Sequence, residues 1–174
     1  MVLAIVMCGG RGSRLGFVEK PMIEIKGKKL IEHILEEIEL ADLEVICVTS
    51  PYAKKTEDFL RKRGLEVFRG SGLGYMEDLK ETIESYGILD PVFTANSDLY
   101  IVRKGVFLEF FKFYMTSDHP AISMIYENGN PVGINAFDPF FDEQREEKFI
   151  INEGDIINVD TPQDLERIVY GRIF

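Results

Sequence analysis

An apolar run at residues 2–7 (VLAIVM) breaks without a spacer into the glycine-rich segment Cys8 to Gly16, and no other feature restricts this chain as much. An unbroken hydrophobic run rich in β-branched residues reads as a strand covered on both faces. Glycines placed directly after it mark a backbone that must turn sharply or approach a ligand closely. Similar short runs recur at residues 43–49, 65–68 and 92–95. Between them lie segments with helical spacing: Leu30, Ile31, Ile34, Leu35 and Ile38, then Tyr75, Met76, Leu79 and Ile83. Ser50-Pro51 is predicted as the N-cap and first-turn pair of another helix.

Val106, Phe107, Phe110, Phe111 and Tyr114 mark a further helix whose aromatic face belongs in the core. Strands are predicted at 121–126 and 132–137 around a turn at 127–131, with short ones at 149–151 and 156–159. Thr161-Pro162 then caps a last helix through Leu165, Ile168 and Val169. Such alternation predicts a three-layer α/β fold, a mainly parallel sheet with helices on both faces. No repeat or linker divides the 174 residues, so residues 1–174 are expected to form one domain. In sheets of this kind the ligand site lies beyond the carboxyl ends of the strands. Cys8 to Gly16, Thr49-Ser50, Arg69 to Gly74 and Asn96 to Asp98 all fall there.

The net charge of −10 argues against nucleic acid as a partner, because nonspecific binding needs clustered Lys and Arg. Anionic metabolites remain compatible with it, since a few focused cations can hold them. No run is long enough to span a membrane, and residues 1–7 lack the basic region of a signal peptide. Cys8 and Cys47 lie in or beside apolar runs, which predicts buried, reduced thiols and a cytoplasmic location.

The glycine-rich loop carries the chemistry. Its glycines let several N–H groups face phosphate oxygens, and Arg14 and Lys20 add the cations that a triphosphate needs. Two common phosphate motifs fail here. A Walker loop requires Lys-Ser or Lys-Thr after its last glycine, where this chain has Phe17; the dinucleotide fingerprint requires glycine where this chain has Leu15. Asp98, at the ligand-facing end of a buried strand, is a candidate Mg²⁺ ligand. His33 and His119 read as incidental, and no Cys/His spacing suggests zinc.

The loop Gly9-Gly10-Arg11-Gly12-Ser13-Arg14-Leu15-Gly16, followed by Lys20-Pro21, resembles the motif of sugar-phosphate-type nucleotidyltransferases, and within them the molybdenum-cofactor guanylyltransferase-like family. The likeness continues through Gly72-Leu73-Gly74-Tyr75-Met76-Glu77-Asp78-Leu79, Ser97-Asp98-Leu99, Pro131-Val132-Gly133-Ile134-Asn135 and Asn158-Val159-Asp160-Thr161-Pro162. The Glu-Asp-Leu and Gly-Ile-Asn segments favour a branch that acts on cobinamide. The resemblance implies a Rossmann-like fold of GT-A type. It also implies Mg²⁺ as cofactor and transfer of GMP from GTP to a small phosphorylated acceptor, adenosylcobinamide phosphate in that branch.

Residue by residue, the resemblance implies nucleotide contacts from Cys8, Gly9, Gly10, Gly12, Ser13, Arg14, Lys20, Thr49, Gly72, Gly74 and Asp78. It gives Arg14, Lys20 and Asp98 the catalytic roles. The metal falls to Asp98, with Asp160 or Asn158 as a second polar group, and acceptor contacts fall to Gly133, Asn135 and Asn158. There are departures. Arg69 stands where relatives often carry an acid near the base, Cys8 replaces a usual Ala, and the Gly-Pro-Leu-Ala-Gly segment of the molybdenum branch is absent. Rival readings keep the fold with molybdopterin or a sugar phosphate as acceptor, or reduce the chain to a nucleotide-binding module without turnover.

Overall fold

The run at residues 2–7 forms strand β1 (Leu3–Met7), whose alternate side chains enter two different cores. Ala4 and Val6 face one, and Ile5 and Met7 face the other. The computed structural model describes residues 2–16, 18–141 and 145–171, so Phe17 of the glycine-loop motif lies outside the described residues. After the loop come a short ribbon, β2 (Glu24–Ile25) and β3 (Lys28–Lys29), and then helix α1 (Leu30–Leu40). β4 (Glu44–Thr49), α2 (Lys54–Lys62), β5 (Glu66–Arg69), α3 (Tyr75–Tyr86) and β6 (Val92–Asn96) follow. The chain continues through β7 (Leu99–Ile101), α4 (Val106–Thr116), β8 (Ala121–Tyr126) and β9 (Pro131–Phe137). It ends in β10 (Glu146–Ile151), β11 (Ile156–Asn158) and α5 (Pro162–Val169).

The main sheet has the order β10-β8-β9-β6-β1-β4-β5, and β9 alone runs against the rest. The crossovers from β1 through α1 to β4, and from β4 through α2 to β5, step outward, whereas α3 returns the chain to the far side of β1. Right-handed crossovers of opposite direction place their helices on opposite faces. Accordingly Ile31, Ile34 and Ile38 of α1 and Leu60 of α2 pack with Ala4 and Val6, while Leu79 of α3 packs with Ile5 and Met7. The expected mainly parallel, three-layer α/β fold is borne out. The reversal of direction at β1 and β6 splays their outgoing loops and opens a crevice between them.

The aromatic face of α4 is core, as expected. Phe93 of β6 is fully buried, with ring centroids of Phe107, Phe110, Phe111 and Tyr114 5.2 to 5.9 Å away. Thr161 caps α5 in a reciprocal capping box with Asp164. Two helical expectations need correction. α2 begins at Lys54 and not at Ser50-Pro51, because Ser50 is drawn into a turn with Ala53 and its hydroxyl bonds elsewhere. On α3, Met76 is exposed while Asp78 and Thr82 join Leu79 on the buried side. β11 matches the short strand expected at 156–159, whereas its partner β7 and the β2–β3 ribbon are too short to show a period in the sequence. Among the described residues no helix is long and apolar enough to cross a membrane.

α4 has Gly105 at its N-cap, which offers no side-chain oxygen. Glu37, on α1 and only 3% exposed, supplies the missing acceptors. Its carboxylate takes the Gly105 N–H at 2.9 and 3.1 Å and the Phe107 N–H at 3.1 Å. Glu37→Ala strands these donors in a dry interior and will lower the unfolding free energy by about 2–4 kcal/mol. Urea denaturation measures this directly, and a loss below about 0.5 kcal/mol would show that water replaces the carboxylate.

Candidate functional site

The crevice between β1 and β6 holds a cleft of about 240 Å³. Its floor is the start of the glycine loop, pinned from both neighbouring strands. The Cys8 N–H bonds the Val48 carbonyl at 2.7 Å, the Ser50 hydroxyl bonds the Gly9 carbonyl at 2.8 Å, and the Ser97 hydroxyl bonds the Met7 carbonyl at 2.8 Å. Gly9 and Gly10 thereby present backbone to the cleft. Further on, Gly12 has φ 60°, and a Cβ there would lie 1.9 Å from the Val18 carbonyl oxygen, so no other residue fits this turn. Ser50 and Ser97 fall in strand-end segments expected on the ligand side, although the sequence gives neither a role of its own. The available signal was a hydroxyl residue at the carboxyl end of a strand beside the loop.

At one end of the cleft the Lys20 ammonium lies between two carboxylates. It donates to Asp98 Oδ2 at 3.1 Å and to Asp160 Oδ1 at 2.6 Å. Lys20 leads a single 3₁₀ turn, Lys20–Met22, with Pro21 buried behind it, so its backbone is stiff. Burial works to lower its pKa, but the Asp160 hydrogen bond and the Asp98 charge outweigh burial and raise it. Burial raises the Asp98 carboxyl, with Lys20 opposing the rise and Asp160 adding to it.

Asp98 Oδ1 is buried without a hydrogen-bond partner. An orphaned carboxylate oxygen and a cation shared by two carboxylates fit a divalent ion bound in concert with phosphate oxygens. No cluster of three or more His, Cys, Asp or Glu suited to a metal occurs among the described residues.

Of the other predicted residues, Cys8, Gly72, Gly74 and Asp78 line the same cleft. Burial, with the Cys47 thiol alongside, pushes the Cys8 thiol well above its ordinary range, so Cys8 offers backbone and not a thiolate. Asp78, 4% exposed, organises the loop ahead of α3: its Oδ1 takes the Gly72 N–H at 2.8 Å and the Ser71 hydroxyl at 3.3 Å. Its Oδ2 lies on the Gly9 side. Tyr75, Asn96 and Pro21 line the cleft as well; of these only Asn96 falls in a segment that the sequence places at the ligand side.

Ser13 and Arg14 stand exposed on the turn Ser13–Leu15, outside the cleft lining. Thr49 is a correction: it is fully buried, and its hydroxyl is within 3.5 Å of Glu57 and 3.4 Å of the Phe68 carbonyl, so it supports the site from behind. Arg69 is held on Glu57, Nε to Oε2 at 2.8 Å, and so does not reach the cleft as a free cation. Two guanidiniums, Arg61 and Arg69, lower the Glu57 carboxyl even though burial acts to raise it.

Gly133 has φ 94°, and a Cβ there would meet the Asn96 amide at 2.4 Å. It makes room for Asn96 at the cleft, while Asn135 lies half-buried beside Thr94 on β6. Asn158 is the second correction. It lines a separate polar hollow with Tyr126, Asn130 and Arg167, whereas Asp160 shares the Lys20 ammonium with Asp98.

The profile of the MobA-like NTP transferase domain matches residues 4–141. The chain is therefore a nucleotidyltransferase of the MobA-like family, as the resemblance in its motifs implied. It is 30% identical to the adenosylcobinamide-phosphate guanylyltransferase of Methanocaldococcus jannaschii, with 94% of this chain and 93% of that protein aligned. It is also 33% identical to a probable molybdenum cofactor guanylyltransferase of Natranaerobius thermophilus over 51% of this chain and 45% of that one. In three dimensions it resembles HddC from Yersinia pseudotuberculosis complexed with GMP-PN, with TM-score 0.76, 16% identity and coverage of 99% and 100% of the two chains. The inositol-1-phosphate CTP transferase of T. maritima superposes with TM-score 0.74 at 15% identity, covering 98% of this chain and 94% of that one.

Proposed function

We propose that this chain, acting as a single domain, transfers GMP from GTP to adenosylcobinamide phosphate with release of pyrophosphate. The observation that carries the reading is the Lys20 ammonium clasped by Asp98 and Asp160 at the end of a cleft floored by Gly9 and Gly10. It combines a cation, a divalent-ion site and backbone donors, the set that a triphosphate requires. The likeness to the M. jannaschii protein, over 94% of this chain and 93% of that one, and the absence of the molybdenum branch's Gly-Pro-Leu-Ala-Gly segment support this acceptor.

In this reading a phosphate oxygen of the acceptor attacks the α-phosphorus in line. One phosphorus–oxygen bond forms as the bond to pyrophosphate breaks. No general base is needed, because a phosphate monoester is already largely ionised near neutral pH. Catalysis then comes from positioning and charge neutralisation. Lys20 neutralises charge beside the α-phosphate, Arg14 reaches the departing pyrophosphate from its exposed turn, and Ser13 and Gly12 shape that turn. Asp98 and Asp160 would hold Mg²⁺, which when bound neutralises triphosphate charge and polarises the reacting phosphoryl group. Gly72 and Gly74 admit the base, and Asp78 Oδ2 offers the acceptor that the N1–H and amino group of guanine require. Gly133 and Asn135 face the acceptor.

Purified protein with Mg²⁺ and adenosylcobinamide phosphate, offered GTP, ATP, CTP and UTP in turn, is expected to release pyrophosphate with GTP only. Release should stop when the acceptor is omitted. Silence with all four nucleotides, together with release when molybdopterin replaces the corrinoid, would move the assignment to the molybdenum branch. Triphosphate binding without release for any acceptor would leave a binding module.

A further inference from the structure

We infer that Glu19 is a positioning residue, which ties the Lys20 turn to the first turn of α2; its effect on turnover rests on the role proposed above for Lys20. α2 has Ala53 at its N-cap and no side-chain cap of its own. Glu19 fills that place from far away in sequence. Its Oε1 accepts the Lys55 N–H at 3.0 Å, and its Oε2 accepts the Thr56 N–H at 2.6 Å and the Thr56 hydroxyl at 2.7 Å. A carboxylate suits this position, since the N-terminal end of a helix carries partial positive charge. The same residue is the N-cap of the Lys20–Met22 turn, where its carbonyl takes the Met22 N–H at 2.9 Å. One residue therefore terminates two elements, and the side chain next in sequence is Lys20.

The anchor on the other side is firm. Leu60 of α2 is fully buried in the main core, and Glu57 on the same helix is clasped by Arg61 at 3.0 Å and Arg69 at 2.7 Å. Ordering the glycine loop costs conformational entropy, and a charge-assisted tether to a fixed helix supplies that order before substrate arrives. Lys20 can then meet the two carboxylates and a phosphate from one orientation. A displacement of about 1 Å at such a group lowers turnover by up to roughly 10²-fold.

A plain helix cap and a loop tether predict different things. In Glu19→Ala, amide exchange is expected to quicken about tenfold or more at Met22 and Ile23 as well as at Lys55 and Thr56. A cap alone would quicken only the latter pair. Adding Ala53→Ser gives α2 a local cap and is expected to restore slow exchange at Lys55 and Thr56 but not at Met22 and Ile23. In that double variant kcat should stay at least about tenfold below wild type, with the KM for nucleotide little changed. Wild-type exchange at Met22 and Ile23 in Glu19→Ala, or kcat restored by Ala53→Ser, would overturn the inference. A wild-type protein that transfers nothing to any acceptor would defeat the functional reading instead, while the exchange pattern still decides the tether.

Discussion

Lys20→Ala will lower the rate of pyrophosphate release by about 10²-fold or more while the protein stays folded; the size is that of losing one preorganised donor to developing charge. The ammonium is held at 2.6 Å from Asp160 and 3.1 Å from Asp98, on a turn stiffened by buried Pro21. Burial works to lower its pKa, but hydrogen bonds and charge from Asp160 and Asp98 hold it above the ordinary lysine value. Alanine leaves the two carboxylates facing each other with no cation between them. That costs some local stability, but none of the three side chains belongs to the hydrophobic cores. Circular dichroism should therefore be unchanged while kcat/KM falls. Turnover near the wild-type level in a folded Lys20→Ala protein would remove Lys20 from the mechanism, and with it the main support for the proposed chemistry.

The second large effect is expected at Asp98. Its carboxylate is largely buried, one oxygen is engaged by Lys20, and the other has no partner. A buried acceptor left without a donor is destabilising, and in the function proposed above the divalent ion would occupy this oxygen. Asp98→Ala removes that oxygen, and Lys20 is left to Asp160 alone. In the metal role proposed above, loss of this ligand withdraws several kcal/mol of charge stabilisation from the transition state, so turnover should fall by about 10³-fold or more. The distinguishing measurement is a Mg²⁺ titration of the residual activity. Its midpoint should move to much higher concentration, and a titration identical to wild type would place the metal ligands elsewhere. Asp98→Asn keeps the shape and removes the charge, and is expected to follow the alanine variant in metal dependence.

Both residues stand where the sequence offers candidates, and the resemblance supplies the roles proposed for them. Asp98 follows an apolar run and Lys20-Pro21 follows a glycine loop, and these are local patterns. Thr49 was misread for the same reason: the end of a strand marks a residue as close to the site but does not say toward which face it points. In the structure it points toward Glu57 and the Phe68 carbonyl. Arg69, which stands where relatives often carry an acid near the base, is held by Glu57 through an ion pair that joins β5 to α2, a contact no local pattern announces. The choice between Asp160 and Asn158 was open, since alternation along a strand says nothing about a chain leaving the strand. The structure brings Asp160 onto Lys20, 140 residues away in sequence, a contact that the sequence could not show.

By itself the sequence determined the layer order, the helices on both faces of the sheet and the end of the sheet at which the site lies. Those features depend on hydrophobic period and on turn residues, which act over a few positions. Only the tertiary structure decided how the helices are capped and how the charges are paired. Glu19 reaches Thr56 across 37 positions, and Glu37 reaches Gly105 across 68. Neither contact has a sequence period, because a hydrogen bond between distant segments depends on separation in space, and that separation exists only once the cores have packed.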